Sequence, residues 1–172
     1  MVTKKWDSTA EFRIFYEEQV GRVYRLALVL MGNISDAEDV TQTVFLKAWE
    51  KKPNFKNSEH ETAWILTTTK NQCKDLQKSF YRKHRANLED AKEPQIMLET
   101  KVDNEVWQAL CSLSEKYRIV LYLYYYEGYS IKELSMILKR RESTLQTQLA
   151  TGRKKMKALL ETKGEFQYEM GR

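Results

Sequence analysis

Apolar side chains recur at intervals of three and four through almost the whole chain, and only six glycines and two prolines interrupt them in 172 residues. A period near 3.6 gathers apolar side chains onto one stripe of a helix, whereas a half-buried strand needs strict alternation. The spacing therefore predicts an all-α fold. Helix starts are expected at four boxes, Ser35 with Glu38, Ser58 with Glu61, Ser130 with Glu133 and Ser143 with Gln146. In each, the hydroxyl can take an orphan N–H of the first turn. A first helix is expected from about Glu11 to Met31, with Val20, Val23, Tyr24, Ala27 and Leu30 as its core stripe. A second follows from Asp36 and a third runs from about Glu61 to Arg85.

Composition changes after the third helix. Residues 86–103 carry Glu89, Asp90, Glu93, Glu99 and Asp103 against only Lys92 and Lys101, and Pro94 interrupts any helix there. We expect an acidic linker at 86–103 between two small helical domains, 1–85 and 104–172. The last helix is expected from about Ser143 to Leu160, with a polar tail fraying beyond Lys163. A formal net charge of +5 suits a polyanionic partner better than an anionic substrate. The N-terminal MVTKKWDSTAEF has no apolar core of a secretion signal and no stretch reaches about 18 apolar residues, so a soluble cytoplasmic protein is expected. Cys73 and Cys111 have no CxxC companion and His60 and His84 are the only histidines, so neither a metal nor another cofactor is expected.

Three segments carry chemistry. In SDAEDVTQTVFLKAW, steps of about 100° put Ala37, Val40, Thr41, Val44 and Ala48 on one face. Asp39, Gln42, Leu46 and Trp49 fall on the other, a mixed apolar and polar patch of the kind that binds another protein. Trp49 could equally fold back on its own domain. On the third helix Ile65, Thr69, Cys73, Leu76 and Phe80 share a face, while Lys70, Lys74, Lys78 and Arg82 recur every fourth residue opposite, with Asn71 among them and Asp75 as the main acidic counterweight. That stripe is suited to tracking phosphates. The loop before it supplies Phe55, His60 and Trp64, either as groups that stack on unpaired bases or as core.

The C-terminal segment has the pattern of a helix-turn-helix. Leu134, Ile137 and Leu138 pack a short helix, Lys139-Arg140-Arg141 is the turn, and Leu145, Leu149, Gly152 and Met156 form the buried stripe of the next helix. Its opposite side holds Thr144, Gln146, Thr147, Thr151 and Lys154, flanked by Arg153, Lys155 and Lys157. Short polar side chains near the front of such a helix can reach base edges, and the basic groups can hold phosphates. Tyr122, Tyr124, Tyr125 and Tyr126, interleaved with Leu121 and Leu123, are expected in core and near-surface packing. No paired carboxylates, nucleophile with a base, or glycine-rich phosphate loop points to catalysis, so the chain is not expected to be an enzyme.

DAEDVTQTVFLKAW, TAWILTTTKNQCKDL, the acidic stretch, LSEKYRIVLYLYYYEGYSIKELSMIL and STLQTQLATGRKKMKALL, in that order between Phe12 and Leu160, resemble the extracytoplasmic-function group of bacterial RNA polymerase sigma factors. The resemblance implies a two-domain initiation factor that directs core RNA polymerase to promoter DNA. The first domain would dock on the clamp helices of the largest subunit through Asp39 and Gln42, to which helical geometry adds Leu46. It would melt and read the minus-ten element with Asn71 and Asp75, with Lys74 near the backbone and Lys70 and Lys78 beside it. The second domain would read the minus-thirty-five element with Gln146, Thr147 and Thr151, aided by Arg153 and Lys154, and sit on the flap of the second-largest subunit. The linker would thread toward the active-site and RNA-exit channel. An anti-sigma factor, often membrane-bound, is a further implied partner. Two departures stand out: Lys139-Arg140-Arg141 replaces the family's Gly-hydrophobic-Ser turn, which shifts the expected cap to Ser143, and Gln146 stands where a basic residue is common.

A free-standing helix-turn-helix regulator is the competing reading. It leaves the acidic stretch and the Asp39, Gln42 and Leu46 patch without a purpose, and normally needs a dimer for paired half-sites. A helical protein-binding adaptor leaves two basic faces unexplained.

Overall fold

The computed structural model describes residues 6, 8–84 and 105–170, with side chains as far as 80 in the first stretch and 161 in the second. The expected acidic linker, the Arg82 side chain and the side chains beyond Lys163 lie outside that description. Every regular element among the described residues is helical. The chain divides into two compact units, Met1–Pro94 and Gln95–Arg172. No described helix is long and apolar enough to cross a membrane.

The first unit holds α1 (Thr9–Met31), α2 (Ile34–Lys51) and α3 (Ser58–His84). Ser8 and Glu11 form a reciprocal cap at the front of α1, a Ser-x-x-Glu box absent from the four expected ones. Gly32 ends α1 in the left-handed region at φ 80°, its N–H bonded to Leu28 O at 2.9 Å. The next residue already caps α2: Asn33 Oδ1 accepts from the Asp36 N–H at 2.8 Å, which leaves Ser35 inside the first turn rather than at its head. Asn57 Oδ1 likewise takes the His60 N–H at 2.8 Å, so Ser58 is the first helical residue and not the cap. An asparagine one or two positions earlier caps as well as serine does and stops the helix from starting later.

Phe15 of α1 is fully buried, with the Trp6 ring stacked on it at 4.4 Å, Phe45 of α2 edge-on at 5.9 Å and Phe55 at 6.2 Å. The three helices pack on one another, and Val23, Ala27 and Leu30 of α1, Val40, Val44 and Ala48 of α2 and Ile65, Leu66, Thr69 and Cys73 of α3 are all buried. One carboxylate enters the core: Glu61 accepts from Gln19 Nε2 at 2.9 Å, while Gln19 Oε1 accepts from Arg22 at 2.8 Å. Phe80, expected on the core face of α3, is 56% exposed. At 27 residues, α3 runs roughly 40 Å and outreaches α1, whose last turn it meets through Gln77 Nε2 and Leu30 O.

The second unit holds α4 (Glu105–Ser112), α5 (Glu115–Leu121), a π-helical turn at Tyr122–Tyr126, α6 (Ile131–Leu138) and α7 (Glu142–Met170). Ser130 and Glu133 make the expected box at α6, and hydrogen bonds from Ser130 hold the Glu133 carboxyl below the usual range. Glu142 precedes Ser143 in α7, so the last expected box is displaced: the Leu145 N–H bonds to Arg141 O at 3.1 Å. The helix also runs on to Met170 instead of ending near Leu160, through glutamates, lysine and glutamine that favour helix. In the π turn the Glu127 N–H reaches back five residues to Tyr122 O at 3.3 Å, and Tyr122 stacks on Tyr126 at 5.2 Å. Tyr122 is buried, whereas Tyr125 and Tyr126 are 58% and 61% exposed.

Gly152 explains how closely α7 packs on α5: a Cβ there would sit 3.1 Å from Leu121 Cδ1. Beside that contact Arg118 is buried and donates to Cys111 O at 2.8 Å. Burial pushes the Cys111 thiol from 9.0 up to about 11, against the opposing pull of the Arg118 cation. The folded unit thus holds this proton more tightly than the unfolded chain. Its contribution to stability is complete below pH 9 and is lost as pH rises from 9 through about 11. We expect Cys111→Ala to flatten that part of the alkaline decline by on the order of 2–3 kcal/mol, read from urea unfolding of both proteins between pH 8 and about 11. Parallel declines would assign the alkaline loss to other groups.

Candidate functional site

On α2 the buried face is Ala37, Val40, Thr41, Val44 and Ala48, as expected, with Phe45 added. Asp39, Gln42 and Leu46 lie on the outward face, Leu46 at 55% exposure. They do not stand on a flat surface. α1 supplies a second wall with Phe12, Tyr16 and Tyr24, and the groove between the two helices encloses about 700 Å³. Tyr16 packs edge-on against Phe45 at 4.6 Å. Trp49 closes one end, edge-on to Phe12 at 4.9 Å with Lys52 Nζ 5.3 Å from its ring centroid. It is thus partly folded onto its own unit and partly open, a combination of both readings of that residue. Glu38 joins Asp39 in the lining, so the groove is apolar in its floor and acidic at its edge. Sequence reasoning missed the α1 wall by placing Tyr24 in the core stripe. Tyr16, off that stripe, was the available signal.

On α3, Asn71, Lys74, Asp75 and Lys78 are exposed and Lys70 is half-buried. Steps of 100° place the four exposed residues within an arc of about 100°, with Lys70 at its edge. Lys47, next to Leu46 on α2, hydrogen-bonds to Gln72 and ties this helix to the one that carries the groove. Phe55, a candidate for stacking on bases, is only 1% exposed. It is enclosed by aromatic rings, with His60 and Trp64 each at 5.8 Å, and acts as core. Trp64 is half-buried, while His60 is exposed and accepts the Lys56 N–H through Nδ1 at 3.3 Å.

In the second unit Leu134, Ile137 and Leu138 of α6 and Leu145, Leu149 and Gly152 of α7 are buried. The turn between them has no glycine. Lys139 takes the left-handed conformation at φ 52°, its N–H on Ser135 O, while Ser135 Oγ donates to Arg140 O at 2.7 Å. Arg140 in turn donates to Gln148 of α7 at 3.2 Å. Opposite the buried stripe, Gln146, Thr147 and Lys154 are exposed and Thr151 is half-buried. Thr147 Oγ1 donates to Ser143 O at 2.9 Å, which leaves its lone pairs to accept. Arg153, two turns beyond Gln146 and in line with it on α7, is exposed, points to the Tyr125 hydroxyl at 3.4 Å and lines a second groove of about 490 Å³, with Val106, Trp107, Tyr126 and Met156.

Asp39, Gln42 and Leu46 make no contribution to the core face, so changing all three to alanine should leave the far-UV circular dichroism and thermal midpoint of the purified protein nearly unchanged. A fall of several degrees would place them in the fold rather than on a docking surface.

Comparison with known proteins matches residues 15–87 to the family described as Sigma-70 region 2, and residues 103–156 to Sigma-70, region 4. Together the two matches cover most of the chain. Among curated proteins, the chain is 28% identical over 152 residues to the ECF RNA polymerase sigma factor SigE of Mycolicibacterium smegmatis, covering 83% of this chain and 59% of that one. It is 27% identical over 147 residues to the ECF RNA polymerase sigma factor SigL of Mycobacterium tuberculosis, covering 81% and 83%. Among solved structures, the sigma factor RpoE of Bartonella quintana, in complex with the anti-sigma factor NepR, has the same fold with a TM-score of 0.73 at 20% identity, covering 89% of this chain and 98% of that one.

Proposed function

Because the chain belongs to the extracytoplasmic-function group of the sigma-70 family, we propose that it directs core RNA polymerase to specific promoters and initiates transcription there, in the cytoplasm and without catalysis of its own. The observation that carries this reading is that one chain holds region 2 and then region 4, each on its own compact unit. A free-standing regulator has no use for the first of these.

In this reading residues 1–85 dock on the clamp helices of the largest subunit, with Asp39, Gln42 and Leu46 at the groove between α1 and α2. An acidic edge over an aromatic floor suits a partner helix that brings basic and apolar side chains together. The outward arc of α3 meets the melted minus-ten strand, Asn71 and Asp75 at the bases and Lys70, Lys74 and Lys78 along phosphates. Residues 86–103 form the acidic connection. Residues 104–172 read the minus-thirty-five duplex with Gln146, Thr147 and Thr151, while Lys154 holds a phosphate. Arg153 then marks the border between that face and the apolar groove, which we assign to the flap of the second-largest subunit. The likeness to a sigma factor crystallised with its anti-sigma factor supports an inhibitor of the same kind for this chain, whether free or membrane-bound.

Mixing the protein with purified bacterial core polymerase and a genomic promoter library tests the reading. Wild type should bind core and start transcription at a defined set of sites, and the triple alanine variant at Asp39, Gln42 and Leu46 should lose several kcal/mol of core affinity. Tight duplex binding by the isolated protein, with no core binding, would install the regulator instead. Asn71→Ala should bind core normally yet lose on the order of 1–3 kcal/mol in open-complex formation, measured by permanganate reactivity. Normal opening would remove Asn71 from the site. Substitutions at Gln146 should change the preference at one or two base pairs of the minus-thirty-five element, whereas Lys154→Ala should weaken binding evenly and lower the salt slope by about one unit. An unaltered base profile at every Gln146 variant would mean that another face of α7 reads the duplex.

A further inference from the structure

The loop of residues 52–57 joins the docking helix α2 to the reading helix α3, and its one aromatic side chain, Phe55, points inward. Lys52 opens the loop in the left-handed conformation with its N–H on Ala48 O, and Asn57 closes it by capping α3. Between these ends the Phe55 ring meets four others: Trp6 at 5.9 Å, Phe15 at 6.2 Å, His60 at 5.8 Å and Trp64 at 5.8 Å. Phe15 belongs to α1, and His60 and Trp64 belong to α3. Trp6 alone comes from outside the helices, ahead of the α1 cap. It is 2% exposed, stacked on Phe15 and tilted on Phe12 at 5.5 Å. The indole is therefore one wall of the pocket that holds Phe55. The exposed groups of the loop are Lys52, whose Nζ lies over the Trp49 ring, Asn54, Lys56 and the capping Asn57, with His60 behind them.

We propose that Trp6 is a positioning residue for capture of the melted strand: stacked in the pocket, it holds Phe55 and thereby fixes the backbone from which Asn54 and Lys56 face unpaired bases, with Asn57 closing the loop as the α3 cap. The proposal rests on the sigma reading above. It assigns a role in strand capture to a buried residue that precedes both family matches. Aromatic stacking, not hydrogen bonding, does this, since the indole N–H has no acceptor among the described residues.

Trp6→Ala and Trp6→Phe test it by two measurements. Hydrogen exchange of the free protein should show the amides of residues 54–57 exchanging faster by about tenfold or more in Trp6→Ala, the scale set by local opening, with residues 65–73 of α3 unchanged. Holoenzyme assembled with core polymerase should bind core normally, but its preference among single-stranded minus-ten oligonucleotides should flatten by about tenfold, the scale of one base contact. Trp6→Phe, which keeps a stacking ring, should restore both. A Trp6→Ala protein with wild-type loop protection and wild-type selectivity overturns the proposal. If that variant exposes residues 65–73 as well, Trp6→Leu decides, because it fills volume without a flat ring: a loosened loop over an intact α3 supports the proposal, and wild-type loop and selectivity overturn it. Failure of the wild type to bind core would sink the sigma reading itself and end the strand-capture role with it, with the exchange experiment then reporting only the anchoring of the loop.

Discussion

The stacking of aromatic rings on Phe15 is the interaction on which the first unit depends. Rings from α1, α2, the loop between α2 and α3 and the N-terminal segment pack there, and Phe55 carries the cluster on to Trp64 of α3. Each ring buries a large apolar area and adds an edge-to-face or stacked contact, so a single cluster replaces many smaller side chains. With that volume filled, α2 has its inner face committed and its outer face free. On α3 Asn71, Lys74 and Asp75, away from the core, are likewise exposed. An apolar groove with an acidic edge and an exposed polar arc are thus the outward consequences of one packed interior.

The second unit solves a different problem. Its helices are short, and α7 must approach α5 closely enough to cover it, which the missing Cβ of Gly152 permits. The turn ahead of α7 lacks the glycine that would relax a left-handed residue, and Lys139 there costs roughly 1 kcal/mol of backbone strain. Hydrogen bonds from Ser135 and Arg140 across the turn offset that cost. The angle between α6 and α7 is held by side chains rather than by backbone freedom alone, and the outward face of α7 keeps a defined direction.

Much of this was legible in the chain. The buried face of α2, the stripe of Leu145, Leu149 and Gly152 on α7, and the exposure of Asn71, Lys74, Gln146 and Thr147 all follow from counting residues. The caps were less legible, because serine and asparagine side chains a few positions apart compete for the same N–H groups, and at α7 the first bond goes to the backbone carbonyl of Arg141, which no side chain signals. Phe55 could not be decided from the sequence, and Phe80 was misplaced by it. The first was left open between a ligand and the core and is enclosed by four rings, whereas the second was given to the core and is exposed.

By itself the sequence determined which side chains share a face, since the angle between residues along one helix is a local property of the backbone. It also determined the order of the two units and the chemistry that each exposes. What the tertiary structure alone decided is which apolar residues are covered and which line a groove, as with Tyr24 beside Asp39 or Trp49 against Phe12. Burial depends on whether another element reaches a given point, and that reach is set by helix length, crossing and caps far away in the chain. Trp6 is the clearest case: nothing near it in sequence shows that its ring closes a pocket around Phe55, some fifty positions on, because the pocket exists only after three helices have packed.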